Sequence, residues 1–316
     1  MVRFTKQKLN RGAKQKLRKV IIMVKILCFG SLNVDYLYSV SHLVQPGETI
    51  RCKKLEVEPG GKGLNQAIAI SKAGSYVYMA GAVSDSDNLV VEHCKNNGVN
   101  VDHIVSTPAE TGHAIIQVSE EGQNCILLHG GANMQIQKCN IDKTFESFGE
   151  GDYLVLQNEI NEVSYIMEKG RQKGMKIVFN PSPYNEAVAN YPLDKIDVLI
   201  LNEVEGAQFT GKKTQREILS QLSEMFPNLL IVLTLGEKGV ILKDKNEEVM
   251  QEALKVTAVD TTGAGDTFTG YFVSLLSLNR SYRRCLEIAV KAAAIAVLSK
   301  GASVSIPKME VVLNVK

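Results

Sequence analysis

Residues 260–270 read DTTGAGDTFTG, and the apolar run YFVSLLSL follows directly. Two glycines within three positions, Gly263 and Gly265, indicate a backbone that turns tightly or approaches another group closely. The apolar spacing beyond them predicts a long helix over 265–278 that begins at about Ala264. The amide N–H groups at such a start have no intrahelical partner, so with the helix dipole they form a potential anion-binding site.

Asp266 would lie in the first turn of this helix, where the dipole favours its charged form. An ionised carboxylate beside anion-binding amides has the parts that phosphoryl transfer requires. The carboxylate takes a proton from a hydroxyl, and the amides of residues 263–265 stabilise the charge on the moving group. A capped helix after a glycine turn is the structural alternative, and it is the more frequent meaning of GAGD alone.

The rest of the chain alternates between apolar, strand-like runs and amphipathic helices. This alternation predicts an α/β fold, a doubly wound and mostly parallel sheet with helices on both faces. A helix is also expected on each side of the strand at 228–236. The predicted strands lie at residues 24–30, 76–83, 152–157, 175–180, 196–202, 228–236 and 239–244, and the main helices at 62–74, 86–96, 163–174, 265–278 and 281–299.

Two segments, 49–61 and 112–131, interrupt this alternation with strands that look antiparallel. The second is expected to be a hairpin that turns at residues 120–123. Such strands do not fit the centre of a parallel sheet. We therefore expect a small β-sheet lid, formed by excursions at about 36–60 and 107–131 from a single domain over residues 23–316.

The basic residues are concentrated at the N-terminus. Residues 1–22 contain eight Lys or Arg and no Asp or Glu. Taking those eight from the 36 basic residues leaves 28 against 34 acidic ones, so the body of the protein is mildly acidic. We interpret residues 1–22 as a disordered arm or an extended start of the reading frame. A transit peptide and a nucleic-acid-binding arm are the alternatives, but the segment lacks Ser and has no aromatic residue beyond Phe4.

The composition argues against several other classes of protein. No apolar run approaches the ~20 residues that span a bilayer, so no membrane partner is expected. The six cysteines are scattered, with no CxxC pair and no His at ligand spacing, which argues against a disulfide framework and a zinc site. We expect most of them to be buried thiols in a cytoplasmic protein.

Two further stretches place polar side chains beside predicted turns. In EPGGKGLNQAIA a glycine turn starts a helix, where Lys62, Asn65 and Gln66 suit recognition of several hydroxyls on a small polyol. In GSLNVDYLY, Asn33 and Asp35 face the same side of an extended segment at the carboxyl end of a strand, where doubly wound sheets bind ligands. A solvated helix N-terminus and an Asx turn are the alternatives for each stretch alone.

Together these stretches resemble the ribokinase-like (phosphofructokinase B-type) carbohydrate kinases. PGGKGLNQAIA, LVLQNEI, FNPSP, LNEVEGAQFTG, LTLGEKGV and VDTTGAGDTFTG occur in the family's order and approximate spacing over about residues 24–310. The resemblance implies ATP-dependent phosphorylation of a sugar primary hydroxyl. D-ribose is the expected acceptor and D-ribose 5-phosphate the product, with Mg²⁺ and K⁺ as cofactors and a homodimer formed through the lid.

The resemblance also implies roles for individual residues. Asp266 corresponds to the catalytic base, and Gly263, Ala264 and Gly265 correspond to the anion hole. The implied sugar contacts are Asn33, Asp35, Gly61, Lys62, Asn65, Glu159 and Asp266. The implied ATP contacts are Asn202, Thr234, Gly236, Glu237, Gly239, Gly265 and Val290. The implied monovalent-cation ligands are Asp260, Thr262, Ala296, Ser299, Gly301 and Ser305, and Glu205 is implied to hold Mg²⁺ indirectly.

Three residues depart from the family's usual pattern. Leu64 stands where Ala is usual near the sugar, Asn158 precedes Glu159 where an apolar residue is commoner, and Val290 stands beside the purine where a more polar residue is expected. Other acceptors therefore stay open: 2-deoxyribose, fructose, a keto-deoxy sugar acid and a nucleoside. Against a nucleoside, the segment 49–61 offers no aromatic platform for a base.

The alternative outside enzymes is a sugar-sensing regulatory protein that has kept the fold without the reaction. Asp266, the intact GAG loop and Asn202 argue against it, because a sensor has no need of a complete set of phosphoryl-transfer groups.

Overall fold

The computed structural model describes residues 24–315, and the predicted N-terminal arm, residues 1–22, lies outside them. The predicted α/β architecture is confirmed. A nine-stranded sheet forms the centre of the protein, and a separate four-stranded sheet lies beside it. The strands of the large sheet run in the order β13-β12-β11-β10-β9-β8-β1-β4-β5. They are β1 (Ile26–Phe29), β4 (Val77–Ser84), β5 (Asn100–Thr107), β8 (Tyr153–Gln157), β9 (Lys176–Asn180), β10 (Val198–Asn202), β11 (Leu230–Thr234), β12 (Val240–Lys243) and β13 (Glu248–Gln251).

The α-helices cover both faces of this sheet. They are α1 (Lys62–Lys72), α2 (Leu89–Asn96), α3 (Lys138–Phe145), α4 (Val163–Gln172), α5 (Glu203–Thr210), α6 (Gln215–Met225), α7 (Ala264–Ser277), α8 (Tyr282–Ala296) and α9 (Met309–Asn314). The central strand β1 shows why both faces must be covered. Ile26 and Cys28 point into one hydrophobic core and Leu27 and Phe29 into the other, and all four are buried. A strand buried on both sides is a continuous apolar run.

The second sheet confirms the predicted β-excursions. Its strand order is β3-β2-β6-β7, with β2 at Asn33–Ser39, β3 at Lys54–Gly60, β6 at Gly112–Val118 and β7 at Asn124–His129. The β6–β7 pair is the predicted hairpin. β2 follows β1 after only three residues, so the two sheets meet at the carboxyl end of β1.

Helices α1 and α7 pack unusually closely against each other. A Cβ atom at Gly270 would lie 2.4 Å from the Cβ atom of Ala69 and 2.7 Å from the carbonyl oxygen of Gln66. Glycine is therefore required at this crossing. The short distance brings the N-terminal turns of the two helices together, and these turns carry Lys62 and Asp266.

One prediction about the secondary structure was wrong. No α-helix follows the strand at 228–236; a single 3₁₀ turn, Gly236–Lys238, leads into β12, which pairs antiparallel with β11. The glycines on both sides of this turn favour a hairpin over a crossover. Neither edge strand of the large sheet was predicted: β5, and the antiparallel β13 with its mixed sequence EVMQ.

The predicted burial of the cysteines is also only half right. Cys28, Cys94 and Cys285 are buried, but three others are exposed: Cys52, Cys125 and Cys139. All six are free thiols. Across residues 24–315, none of the helices combines the length and apolarity needed to cross a membrane. The cytoplasmic location stays a prediction.

Candidate active site

Asp266 lies in the first turn of α7, and two side-chain amides of α1 hold its carboxylate. Asn65 Nδ2 donates to Oδ2 at 3.1 Å, and Gln66 Nε2 donates to Oδ1 at 2.9 Å. Asp266 is 7% exposed and Asn65 5%. Asn65 Oδ1 accepts no hydrogen bond from the described part of the chain. A buried acceptor without a partner destabilises a protein, so this oxygen offers a place for a ligand hydroxyl beside the carboxylate.

The predicted glycine turn is present at the start of α7. The helix begins at Ala264, directly after Gly263 in the left-handed region at φ 74°. The N–H of Ala264 donates to the carbonyl of Thr261 at 3.3 Å. The N–H groups of Gly263 and Gly265 find no acceptor in the described part of the chain. Two of the three predicted amides are thus available to an anion at the positive end of the helix.

Lys62, the first residue of α1, carries the positive charge of the site. Burial by itself lowers the pKa of Lys62, but four neighbouring carboxylates outweigh this effect and raise the pKa above its usual value. The ammonium group therefore stays protonated and partly neutralises the negative charge around it. These neighbours, in order of effect, are Asp266, Glu159, Glu205 and Asp35.

Glu159 follows β8 and is fixed by donors from two loops. The hydroxyl of Ser31 and the backbone N–H of Lys62, the latter at 3.3 Å, both donate to its Oε2 atom. Burial raises the pKa of Glu159, and the positive charge of Lys62 and the hydroxyl of Ser31 oppose this rise only in part. The Glu159 carboxylate therefore lies beside Lys62, but its burial disfavours the charged form.

Asn33 and Asp35 lie on strand β2 of the small sheet, where their spacing places both on one face. Asn33 Oδ1 accepts a hydrogen bond from Asn133 Nδ2 at 2.8 Å. Asp35 lies over Gly60, where a Cβ atom would come within 2.0 Å of Asp35 Oδ2. Gly61 follows at φ 96° and starts α1. The lid therefore contributes its polar face to the same cluster as the two helices.

Asp35 lies in an unfavourable electrostatic environment. Burial raises the pKa of Asp35 from 3.8 to about 7, and the negative charges of Glu159, Glu58 and Asp266 add to the effect. Lys62 opposes it. Hydroxyl groups would satisfy these crowded oxygens, because each carboxylate oxygen accepts more than one hydrogen bond.

Asn202 and Glu205 form a capping box at the start of α5. Glu205 N–H donates to Asn202 Oδ1 at 2.8 Å, and Asn202 N–H donates to Glu205 Oε2 at 3.0 Å. Glu205 is 7% exposed. Its charge raises the pKa of Lys62, so the N-x-x-E stretch borders the carboxylate cluster.

The residues predicted to contact ATP lie partly beyond the ends of strands. Thr234 ends β11, and Glu237 lies in the exposed turn Gly236–Lys238. Gly239 follows at φ 103°, where a Cβ atom would lie 2.1 Å from a backbone carbonyl oxygen, so the hairpin requires glycine. Val290 is different, because it lies within α8 and is 7% exposed.

The residues predicted to hold a monovalent cation lie on two adjacent loops that Asp260 joins. Its Oδ1 atom accepts the N–H and the hydroxyl of Thr262 at 2.9 and 2.7 Å, and its Oδ2 atom accepts the N–H of Gly301 at 2.9 Å. Burial by itself raises the pKa of Asp260, but these donors outweigh it and lower the pKa. The loops are therefore tied together by a charged carboxylate.

The two loops that Asp260 joins also carry several backbone carbonyl oxygens. Ala296 carbonyl accepts the N–H of Ser299 at 3.3 Å, and the Ser305 hydroxyl donates to a neighbouring carbonyl at 3.0 Å. Three carbonyl oxygens accept no hydrogen bond from the described part of the chain: those of Thr262, Ser299 and Gly301. Unpaired carbonyls near a carboxylate fit a large monovalent cation. In residues 24–315 no group of three or more His, Cys, Asp or Glu is arranged as a metal site.

Gln66 was expected to help recognise the hydroxyls of a polyol, and its position in the structure contradicts this. Its side chain is fully buried, and it contacts Asp266, Asn180 and Gln157 rather than an open surface. Gln157 and Asn180 were not predicted as part of the site. Each is the polar residue that ends an apolar strand, LVLQ or IVFN, and each lies in a stretch that resembles the family, LVLQNEI or FNPSP; these were the signals in the sequence.

Two surface cavities lie outside this cluster. One, of about 440 Å³, is lined in part by Lys72 and Lys308. The other, of about 320 Å³, is lined in part by Tyr184, Phe209 and Phe226. Neither includes a member of the carboxylate cluster, so the site is identified by its charges and hydrogen bonds and not by cavity volume.

Comparisons with known proteins identify the family and the fold of the chain. The sequence model of the pfkB family carbohydrate kinases matches residues 23–309. The chain is 33% identical to the ribokinase of Staphylococcus aureus over 303 residues, or 92% of this chain and 99% of the relative. It is 31% identical to a deoxyribokinase of Salmonella typhi over 295 residues, or 90% and 96%. Its fold is similar to the structure of Arabidopsis thaliana ribokinase complexed with ribose and ATP, with a TM-score of 0.83 at 29% identity over 92% of this chain and 98% of that one.

The carboxylate cluster predicts that Asp35→Asn stabilises the protein at neutral pH. Because the pKa of Asp35 is raised from 3.8 to about 7, the folded protein holds a proton that the unfolded chain releases between these values. The free energy of unfolding therefore falls as pH rises through this window. We expect urea denaturation of Asp35→Asn at about pH 8 to give a free energy of unfolding higher by on the order of 1–3 kcal/mol.

This gain should shrink at about pH 5, where the parent Asp35 is protonated. Glu121→Gln, in the exposed hairpin turn, is the control, and it should leave the free energy of unfolding unchanged at both pH values. Equal stabilities of parent and Asp35→Asn at both pH values would mean that the like charges are not crowded in solution.

Proposed function

The chain belongs to the pfkB family of carbohydrate kinases, and on this premise we propose that it transfers the γ-phosphoryl group of ATP to the primary hydroxyl O5 of D-ribose. The observation that carries the proposal is the Asp266 carboxylate. It is fixed by two amides, and it lies at a helix start where the N–H groups of Gly263 and Gly265 lack an acceptor. Base and anion hole therefore lie side by side.

In the proposed reaction Asp266 accepts the proton of the sugar hydroxyl as the hydroxyl oxygen attacks the γ-phosphorus. The bond between the γ-phosphorus and the oxygen that links it to the β-phosphate breaks, and ADP leaves with that oxygen. The free amides of Gly263 and Gly265, with Ala264 between them, stabilise the negative charge on the transferred group. Lys62 contributes a buried positive charge next to the carboxylate.

The lid and the helix starts are proposed to bind the sugar. Asn65 Oδ1 is a buried acceptor without a partner, and Asp35 is a carboxylate in an unfavourable environment. Sugar hydroxyls would donate to both, which supports a polyol ligand. The other proposed sugar contacts are Asn33, Gly61, Lys62 and Glu159.

The similar structure of Arabidopsis thaliana ribokinase, which holds ribose and ATP, supports ATP as the phosphoryl donor. Mg²⁺ would neutralise phosphate charge when bound. We propose that Glu205, at the edge of the cluster, binds it indirectly. K⁺ is the proposed monovalent cation, held by the loops that Asp260 joins. The proposed ATP contacts are Asn202, Thr234, Gly236, Glu237, Gly239, Gly265 and Val290.

The identity of the sugar is the finer part of this proposal. Relatives include proteins named ribokinase and proteins named deoxyribokinase, at 33% and 31% identity. The two acceptors differ only in the 2-hydroxyl. D-ribose is favoured because the cluster offers several charged acceptors, and each additional hydroxyl satisfies one of them.

We also propose that the small sheet joins two copies of the chain. Val57, Tyr36, Ile115 and Leu127 are aligned in one row across its four strands. Leu127 is 67% exposed and Val57 47%. An apolar row on an open sheet face fits a symmetric partner better than water.

The activity is tested by ADP release with ATP and a panel of acceptors: D-ribose, 2-deoxy-D-ribose, D-fructose, a keto-deoxy sugar acid and a nucleoside. D-ribose should give the highest kcat/KM. Asp266→Asn should lower kcat by about 10²–10⁴-fold, because the base is lost while the shape of the side chain is kept. Equal kcat values in parent and Asp266→Asn would rule out Asp266 as the base, and sugar binding without ADP release would favour the sensor alternative.

The cation proposal predicts that K⁺ activates several-fold more than Na⁺ at equal ionic strength. Unpaired carbonyls on two joined loops fit the larger ion, and the loops carry the start of α7. Asp260→Asn should remove the difference between the two salts, as measured by kcat. The same kcat in K⁺ and Na⁺ for the parent would remove the cation site from the account.

The dimer proposal predicts that the parent chain of 34.7 kDa runs at twice this mass in light scattering. Leu127→Asp should shift it to the monomer, because the charge replaces the most exposed residue of the apolar row. Leu278→Asp is the matched control, since Leu278 is 50% exposed at the end of α7, away from the lid. A parent that is monomeric at micromolar concentration would contradict this assembly.

A further inference from the structure

Gln66 is fully buried in the first turns of α1, and it touches the carboxylate that the proposed function makes the base. Its Nε2 atom donates to Asp266 Oδ1 at 2.9 Å. Resting on that proposed function, we propose that Gln66 is a positioning residue that holds the Asp266 carboxylate in one orientation throughout turnover. Asn65 also donates to this carboxylate, but Asn65 is assigned to the sugar as well. Gln66 is the donor that no substrate group can reach.

The orientation of the Gln66 amide is determined by its neighbours. Asn180 Nδ2 donates to the carbonyl of Ile200 at 2.9 Å, so Asn180 Oδ1 faces Gln66 and accepts from its Nε2 at 3.1 Å. Gln157 Nε2 donates to Gln66 Oε1 at 2.8 Å. A flipped Gln66 amide would point its oxygen at two other acceptors and its nitrogen at a donor. Only one orientation satisfies all of these contacts.

Every polar group of the Gln66 side chain is therefore in use. Both Nε2 hydrogens have an acceptor, Asp266 and Asn180, and Oε1 has a donor, Gln157. A side chain that is fully buried, with both N–H donors engaged by the protein, does not bind substrate or carry protons. Its contribution must act through Asp266, and we expect it in kcat rather than in KM.

The scaffold behind Gln66 is rigid. Gln157 ends β8, Asn180 ends β9, and Ile200 lies in the next strand, β10, so three neighbouring strands of the large sheet anchor one amide. The close crossing at Gly270 fixes the distance between α1 and α7. A carboxylate that is anchored to elements of regular structure keeps its direction better than one on a mobile loop.

Two variants test the positioning role against a merely structural one. Gln66→Met keeps the length of the side chain and removes all three hydrogen bonds. We expect kcat to fall about 10–100-fold while KM for the sugar and for ATP changes by less than about threefold, since small misplacements of a reacting group have effects of this size. Asn180→Ala removes only the second anchor, so we expect a smaller fall in kcat, about fivefold.

Tyr271→Phe is the matched control, on α7, the helix that carries Asp266. Tyr271 is fully buried, and its hydroxyl donates to the carbonyl of Pro307 at 2.7 Å, away from the carboxylate. This variant loses a buried hydrogen bond of α7 as Gln66→Met does, but its kcat should stay within about twofold of the parent. Circular dichroism and thermal unfolding, which do not depend on activity, show whether each variant is folded.

A double-mutant cycle with Asp266→Asn gives the decisive comparison. If Gln66 acts through the carboxylate, Gln66→Met should lower the residual kcat of Asp266→Asn by less than about twofold. The inference is overturned if parent and Gln66→Met share the same kcat, if Gln66→Met behaves like Tyr271→Phe, or if its effect is undiminished without the carboxylate. Should Gln66→Met fail to fold, Asn180→Ala is compared with Tyr271→Phe in the same way. A parent without phosphoryl transfer to any sugar would instead contradict the proposed function.

Discussion

The pair of hydrogen bonds from α1 to the Asp266 carboxylate is the interaction on which the site depends. It requires the first turns of α1 and α7 to meet, and the glycine at position 270 permits that approach. The same meeting places Lys62 among the acids and leaves the amides of Gly263 and Gly265 open at the start of α7. Helix packing, hydrogen bonding and the electrostatics of the site thus follow from one contact between two helices.

The cluster also shows a conflict between stability and binding. Burying several carboxylates around a single ammonium group is unfavourable, and the raised pKa values of Asp35 and Glu159 are its direct expression. A protein selected for stability alone would not place charges in this way. Hydroxyl-rich ligands relieve the conflict, because they donate to oxygens that the chain leaves unsatisfied, such as Asn65 Oδ1.

Much of the fold and part of the site could be predicted from the sequence. The start of α7 at Ala264 follows from glycine conformation and apolar spacing, and the buried strand at 26–29 from its continuous apolar run. The two edge strands of the large sheet, β5 and β13, could not be predicted, because their mixed sequences lack a clear period. The role of Gln66 could not be predicted either, since its partners are 91, 114 and 200 residues away in the chain. Only tertiary packing brings them together.

The central claim is that Asp266 lies against the hydroxyl that accepts the phosphoryl group. A crystal structure of the protein with D-ribose and a non-hydrolysable ATP analogue tests it most directly. The account predicts an Asp266 oxygen within about 2.6–3.2 Å of ribose O5, with the terminal phosphate against the amides of Gly263 and Gly265. Ribose bound elsewhere, or with O5 beyond hydrogen-bonding distance and another residue beside it, would contradict the account.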